Sequence, residues 1–266
     1  MNDLTETTRC AHWGWTEHRY FGYPVFGELL GRETFTGLTV LSVLGRRLPP
    51  ECLGVVDDLA VSLTLADPRI WPLKLARLLA AYGGAVAALG GGLCLQEGAR
   101  LGPWTGQQAA ELLVQFQTEL GGAHAPSLRE LVLRYLHEHR FIWGFGTPFR
   151  DRDERLIAFR ERIVLRGRHT LPFWRLFDAI SEIVSEARGV QPNMGMGFAA
   201  ACLDMGLMVE EVGPLATALM QHMFLANAIE QASTTRSTLV RLPDDSVSYV
   251  GAGPRVSERA RKADAP

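Results

Sequence analysis

The sequence predicts an all-α protein, and three observations carry that expectation. Apolar residues recur at three- and four-residue spacing through most of the chain, as at Leu53, Val56, Leu59, Ala60 and Leu63, which sets one face of a helix against a core. Almost no segment alternates apolar and polar residues with the period of two that a half-buried strand needs. Gly and Pro stand between the periodic stretches, at Pro49-Pro50, Asp67-Pro68, Gly102-Pro103 and Gly121-Gly122, where they end one helix and open another. No repeat of fixed length is visible, which argues against a helical solenoid. With 266 residues, 47% hydrophobic and 21% charged, the chain can bury a sizeable core as one large domain or two unequal ones.

In chain order, residues 1–27 read as an irregular aromatic arm packed on the body or on a partner subunit. They carry Trp13, Trp15, Tyr20, Phe21, Tyr23 and Phe26 among Gly14, Gly22 and Gly27. A helix is expected over 28–44, stopped by the run from Arg46 to Pro50, and another over 51–66. Asp67-Pro68 breaks the second, and the next begins near Pro72. Residues 78–95 are uncharged and rich in glycine. They are long enough to suggest a membrane span but lack aromatic belts and a clear basic flank, so they read as a buried helix or helix pair. Thr105 is the expected N-cap of a helix ending at Gly121. Ser127 with Glu130 is a capping box. Helices follow over 156–165, 173–187 and 197–209, and Gly213-Pro214 separates the last from a helix over 215–231. The polar tail from Arg241 is expected to be disordered over its last dozen residues.

Net charge is −2, so no general attraction to nucleic acid or anionic membrane is expected. Cys10, Cys52, Cys94 and Cys202 are far apart. With no signal peptide they read as reduced thiols of a cytoplasmic protein, and with no clustered His they do not form a metal site. His137 and His139 are two apart and share no helix face. His222, in an apolar stretch, reads as a core or interface histidine.

Residues 141–155 fit no ordinary helix or strand. An apolar start leads to Gly144-Phe145-Gly146, then Thr147-Pro148, then Arg150-Asp151-Arg152-Asp153-Glu154-Arg155. Glycines flanking an aromatic let backbone approach a ligand closely. A turn that brings N–H groups and arginines to one point grips phosphate; the same residues also describe a structural turn before a salt-bridged helix.

This stretch, the later Gln191-Pro192-Asn193, the Glu230-Gln231 end of an apolar helix and the segment from Asp244 to Gly251 resemble in order and spacing the citrate synthase superfamily, most of all its short citryl-CoA lyase-type domains. Arg47-Leu48-Pro49, the turn from Leu65 to Arg69 and the Gly102-Pro103 turn match earlier family segments, so the likeness runs over residues 23–250. The resemblance implies an all-α citrate synthase-like fold, with a large helical dimerisation domain (20–120 plus 216–250), an inserted small domain (121–215) on the CoA side of the cleft and a flexible tail (251–266). It implies a homodimer in which both chains build each site, a small-molecule acyl or carboxylate substrate, and CoA or acyl-CoA bound in the cleft with no tightly held cofactor or metal.

The family makes or breaks a C–C bond alpha to a thioester carbonyl. That needs a carboxylate base, a donor to the enolate oxygen and cations for the ketoacid. Here the matching positions depart from the pattern. The family histidines align with Pro68, Leu101 and Thr147, an arginine with Pro148, and the acid after Pro-Asn with Gly195 or Ala199. Catalytic roles are therefore expected of Thr147, Asp67 and Asp204. Two of these also have a purely structural alternative, a turn cap for Asp67 and a cap or inter-helix partner for Asp204. Substrate binding is expected of Arg69, Trp71, Trp104, Arg150, Arg155 and Asn193, and CoA binding of Trp143, Gly144, Phe145 and Gly146. Trp71, Trp104, Met194 and Met196 are expected to make the pocket apolar, suited to a bulkier, less carboxylated acyl group than citrate. Two functions stay open: an atypical enzyme on a CoA thioester or related acyl substrate, and an inactive subunit that binds a ligand or pairs with an active relative.

Overall fold

The computed structural model describes residues 7–64, 67–98, 102–122, 126–147, 151–234, 243, 245–255 and 257, and of 95–98 only the backbone. Among them are ten α-helices and one three-stranded antiparallel sheet of two-residue strands. The sheet corrects the expected irregular arm. β1 (Ala11–His12), β2 (Arg19–Tyr20) and β3 (Tyr23–Pro24) pair in order. The arm is clipped to the body: the Tyr20 hydroxyl donates to Ser42 Oγ at 2.9 Å, and the Arg47 guanidinium lies 4.3 Å from the Tyr23 ring centre.

α1 (Phe35–Leu44) starts later than expected because a π turn occupies Val25–Leu29 and Thr34 accepts from Gly37 N as N-cap. α2 (Pro50–Ser62) opens on a proline, which has no N–H to leave unsatisfied there. The glycine-rich run forms a helix pair, α3 (Trp71–Gly83) and α4 (Ala85–Gly98), broken where Gly84 takes a φ of 85°. α5 (Pro103–Leu120) begins before the expected cap. Thr105 lies inside its first turn and donates to Gly102 O at 2.7 Å. α6 (Leu128–Glu138) has the expected capping box.

α7 (Glu154–Leu165) and α8 (Pro172–Arg188) follow. α9 (Met194–Asp204) starts earlier than the expected 197, because Asn193 caps it, and ends where Gly206 turns the chain at a φ of 80°. α10 (Val209–Ser233) runs through Gly213-Pro214, the expected break. An interior proline costs about 3 kcal/mol. α10 packs on α3, α4 and α5 and buries Val212, Leu215, Leu219 and Phe224. Each such side chain contributes about 1.5–3 kcal/mol when fully buried, so packing outweighs the proline.

The main core gathers side chains from α1, α2 and α5 through α10, with Phe116, Phe159, Trp174, Phe177 and Phe198 at its centre. It continues across 120–121 and 215–216, and α5 packs on both α8 and α9. Smaller clusters seat α3 and α4 on α10 through Leu73, Ala76 and Phe224, and through Ala80, Ala88 and Ala228. The expectation of full burial for 78–95 is corrected: α3, α4 and α10 leave Leu79, Tyr82, Val86, Leu225 and Ile229 exposed. No described helix is long and apolar enough to cross a membrane. Of the expected disordered tail, 256 and 258–266 lie outside the described residues.

Candidate functional site

The Gly-Phe-Gly segment is bound edge to edge to the turn that opens α9. Phe145 and Pro192 form an isolated antiparallel bridge. Gly146 N donates to Gln191 O at 2.8 Å, and Asn193 N donates to Gly144 O at 2.8 Å. The Asn193 side chain closes the lock: Nδ2 donates to Gly146 O at 2.7 Å, while Oδ1 accepts from Gly195 N at 2.8 Å. One side chain thus caps a helix and clamps the segment above it. Gly144 and Gly146 sit at φ of 79° and 80°, where a side chain strains the backbone. Gly144 also lies directly over α9, since a Cβ there would fall 2.5 Å from Met196 Cβ.

The starts of two more helices meet this point. Trp104, in the first turn of α5, packs edge-to-face on Trp143 at 4.8 Å between ring centres, and Thr105 Oγ lies 3.5 Å from where a Gly195 Cβ would stand. At the start of α7 is Asp153, only 4% exposed, a residue with no role among the sequence expectations. Its Oδ1 accepts from Arg155 N at 3.1 Å and its Oδ2 from Met194 N at 2.8 Å. The Arg155 guanidinium folds back on both oxygens, Nε to Oδ1 at 2.8 Å and Nη2 to Oδ2 at 2.7 Å. Burial is the largest single influence on this carboxyl and works against its charge. The Arg155 guanidinium and the two N–H groups together outweigh it and hold Asp153 below the usual carboxylate range. The signal available in the sequence was an aspartate just before an apolar helical run.

Trp104, Trp143, Gly144, Phe145, Gly146, Arg155 and Asn193 are therefore brought together, and Thr147 ends the same segment half-buried. Arg150 lies outside the described residues. Asp67 and Arg69 sit in the turn before α3, where Asp67 accepts from Arg69 N at 2.9 Å and pairs with its guanidinium. Trp71, at the start of α3, is 42% exposed.

Asp204 stands at the far end of α9, about 15 Å from its start at 1.5 Å per residue. There it caps α8, accepting from Phe173 N at 3.0 Å and Trp174 N at 2.9 Å. Burial pushes its carboxyl above the usual range despite those bonds. Met194 and Met196 do not line a pocket, contrary to expectation: both are buried in the main core beneath the wall. The glycines of α9's first turn let its other side chains turn inward. His222 is exposed and bonds Thr64 Oγ at 2.7 Å.

Behind the wall, α7 and α8 flank an open groove of about 610 Å³ that shares Gln191 and Pro192 with it and carries Arg152, Arg160 and Glu182. No cluster of three potential metal ligands exists among the described residues.

No protein-family profile and no curated protein matches the chain. Solved structures do. Citryl-CoA lyase from Hydrogenobacter thermophilus superposes with a TM-score of 0.77 at 18% identity, over 97% of this chain and 99% of that one. The fold is that of the citrate synthase superfamily. ATP citrate lyase from Methanothrix soehngenii, solved with citrate and coenzyme A, gives 0.73 at 16% identity over 98% of this chain, which spans 43% of that longer one. Citrate synthase from Thermotoga maritima gives 0.54 at 15% identity, over 96% of each chain. The citrate synthase-like architecture expected from the Gly-Phe-Gly, Pro-Asn and tail motifs is thus the one observed.

Proposed function

We propose that the chain binds a CoA thioester along the wall of Trp143, Gly144, Phe145 and Gly146, and acts on it as an atypical relative of citryl-CoA lyase and citrate synthase. The observation that carries this reading is the lock of 144–146 onto 191–193 at the start of α9. It fixes Trp143, Phe145 and Gly146, each partly exposed, in one rigid edge, with the partly exposed guanidinium of Arg155 tied to the same helix start through Asp153. The adenosine part would lie against this backbone, with the groove behind offering Arg152 to phosphates. The acyl end would face Trp104, Thr105, Thr147 and Arg155. Thr147 can donate to a developing enolate oxygen, and Arg155 can pair with a carboxylate. The reading includes a homodimer formed through the exposed Leu79, Tyr82, Val86, Leu225 and Ile229, and the division into large and small domains that the resemblance implies.

A second reading has a specific observation behind it. Position 195 is glycine, position 199 is a fully buried alanine, and the carboxylate of Asp153 is saturated with donors. None of the three offers an enolisation base, which favours a subunit that binds the ligand without turning it over.

Thermal denaturation with CoA, acetyl-CoA and longer acyl-CoAs tests the shared part. A ligand at 100 times its Kd stabilises by about 2.7 kcal/mol, and absence of any shift refutes both readings. Cleavage of citryl-CoA or transfer from another acyl-CoA then separates them, since the second reading expects binding and no turnover. Brisk citrate formation from acetyl-CoA and oxaloacetate would show that the motif alignment at 147, 195 and 199 is wrong. Sedimentation of Val86→Glu against the wild type checks the dimer, and a wild-type monomer overturns it.

A further inference from the structure

Asp153 is placed to do more than cap a helix. A capping aspartate accepts from the second or third N–H of its own helix. Asp153 does so with Oδ1 and gives Oδ2 to Met194 N, the first N–H of α9. It also takes both nitrogens of one edge of Arg155. A carboxylate offers about four lone-pair directions, and four donors from two helix starts and one guanidinium fill them. Bidentate pairing fixes the guanidinium plane as well as its position. Nε and Nη2 of Arg155 are committed, Nη1 donates to no acceptor among the described residues, and 27% of the side chain is open to solvent.

We propose that Asp153 is the positioning residue of this site. It holds Arg155 with Nη1 directed to an anionic group of the ligand, a carboxylate or a phosphate, and ties that arginine to the helix start on which the Gly-Phe-Gly wall is built. Only the nature of the ligand rests on the CoA-thioester reading; the clasp is a property of the folded chain. Asp153→Asn keeps one acceptor but points an NH₂ at Met194 N–H or at the guanidinium, so a donor faces a donor and the clasp opens.

The test uses the full chain and has a ligand-free arm. In the wild type the Arg155 Nε–H resonance and the Met194 amide exchange slowly with solvent. In D153N both signals are lost while far-ultraviolet dichroism keeps the helix content, and D153E restores the Arg155 signal in part. Persistence of both signals in D153N overturns the proposal. Should D153N not fold, acidifying the wild type gives the same readout: the two signals vanish together with one midpoint, and separate midpoints overturn the proposal. In the ligand arm, calorimetry with CoA and with citrate shows D153N and R155M each weakening one of the two probes about tenfold, with no further loss in the double variant. Wild-type affinity in D153N beside a weakened R155M overturns the positioning role. If the wild type binds neither probe, the CoA-thioester reading fails and the ligand-free arm alone decides the clasp.

Discussion

Gly144 and Gly146 allow a prediction in which backbone strain and steric contact separate. Both adopt nearly the same positive φ, 79° and 80°, so alanine at either position bears the same left-handed penalty, about 1–2 kcal/mol. Their surroundings differ. A Cβ on Gly146 meets its nearest neighbour, Val190 Cγ1, at an ordinary 3.7 Å. A Cβ on Gly144 falls 2.5 Å from Met196 Cβ, 2.9 Å from its Cα and 3.0 Å from its N. Two of those atoms are backbone in the first turn of α9, and Met196 is fully buried, so neither side yields without disturbing the Asn193 lock. Overpacking of this kind costs about 1–3 kcal/mol. Gly146→Ala is therefore expected to lose about 1–2 kcal/mol and Gly144→Ala about 2–5 kcal/mol. At roughly 2–4 °C per kcal/mol for a chain of this size, the second variant should melt several degrees below the first. Urea denaturation and thermal melts of both variants beside the wild type are the assay. Equal losses, or a larger loss at Gly146, would refute the assignment of the Gly144–Met196 contact as the tight point of the wall.

Three further outcomes follow from the same geometry. The folded carboxyl of Asp153 lies below its ordinary value of 3.8, so the stability it contributes is present above about pH 4 and lost as pH falls through its lowered value; D153N should flatten that acid limb of the melting curve. Asp204 has the opposite sign, with a folded value raised above 3.8 by burial. Its ionisation therefore costs stability as pH rises from about 4 through the raised value, and the penalty of Asp204→Ala, about 0.5–2 kcal/mol for a lost cap, should be larger at pH 4 than at pH 7. Gly195→Asp places a carboxylate at a helix start, where its charge is favoured, with Asn193 Oδ1 at 3.0 Å as the tightest contact of the new Cβ. It should fold and raise the exchange of acetyl-CoA methyl protons into deuterated water at least tenfold over the wild type, and an unchanged rate would show that a missing base at 195 is not what limits enolisation.

The sequence alone determined the helix class and the features that are local in cause. Ser127 and Glu130 make their capping box from residues three apart, and the Gly-Phe-Gly and Gln-Pro-Asn motifs pointed to the citrate synthase-like fold. The uncharged run allowed one helix or two, and the fold divides it at Gly84. Tertiary structure decided the rest. Met194 to Gly197 carry no helical periodicity, and they start α9 because Asn193 is held by the segment it clamps. Pro214 stays inside α10 because the burial of that helix against three others exceeds a local cost no window of sequence can weigh. Asp204 and Asn193 belong to opposite ends of one helix, so nearness in sequence to the family's acid position did not bring Asp204 to the wall. Gly-Phe-Gly stood out from its own residues as a turn of close backbone approach, and only the family resemblance made it a cleft wall. That Asp153 joins this wall to Arg155 was not legible, because the bond from Met194 spans a sequence separation of 41, and only the packed fold brings the two helix starts to one carboxylate.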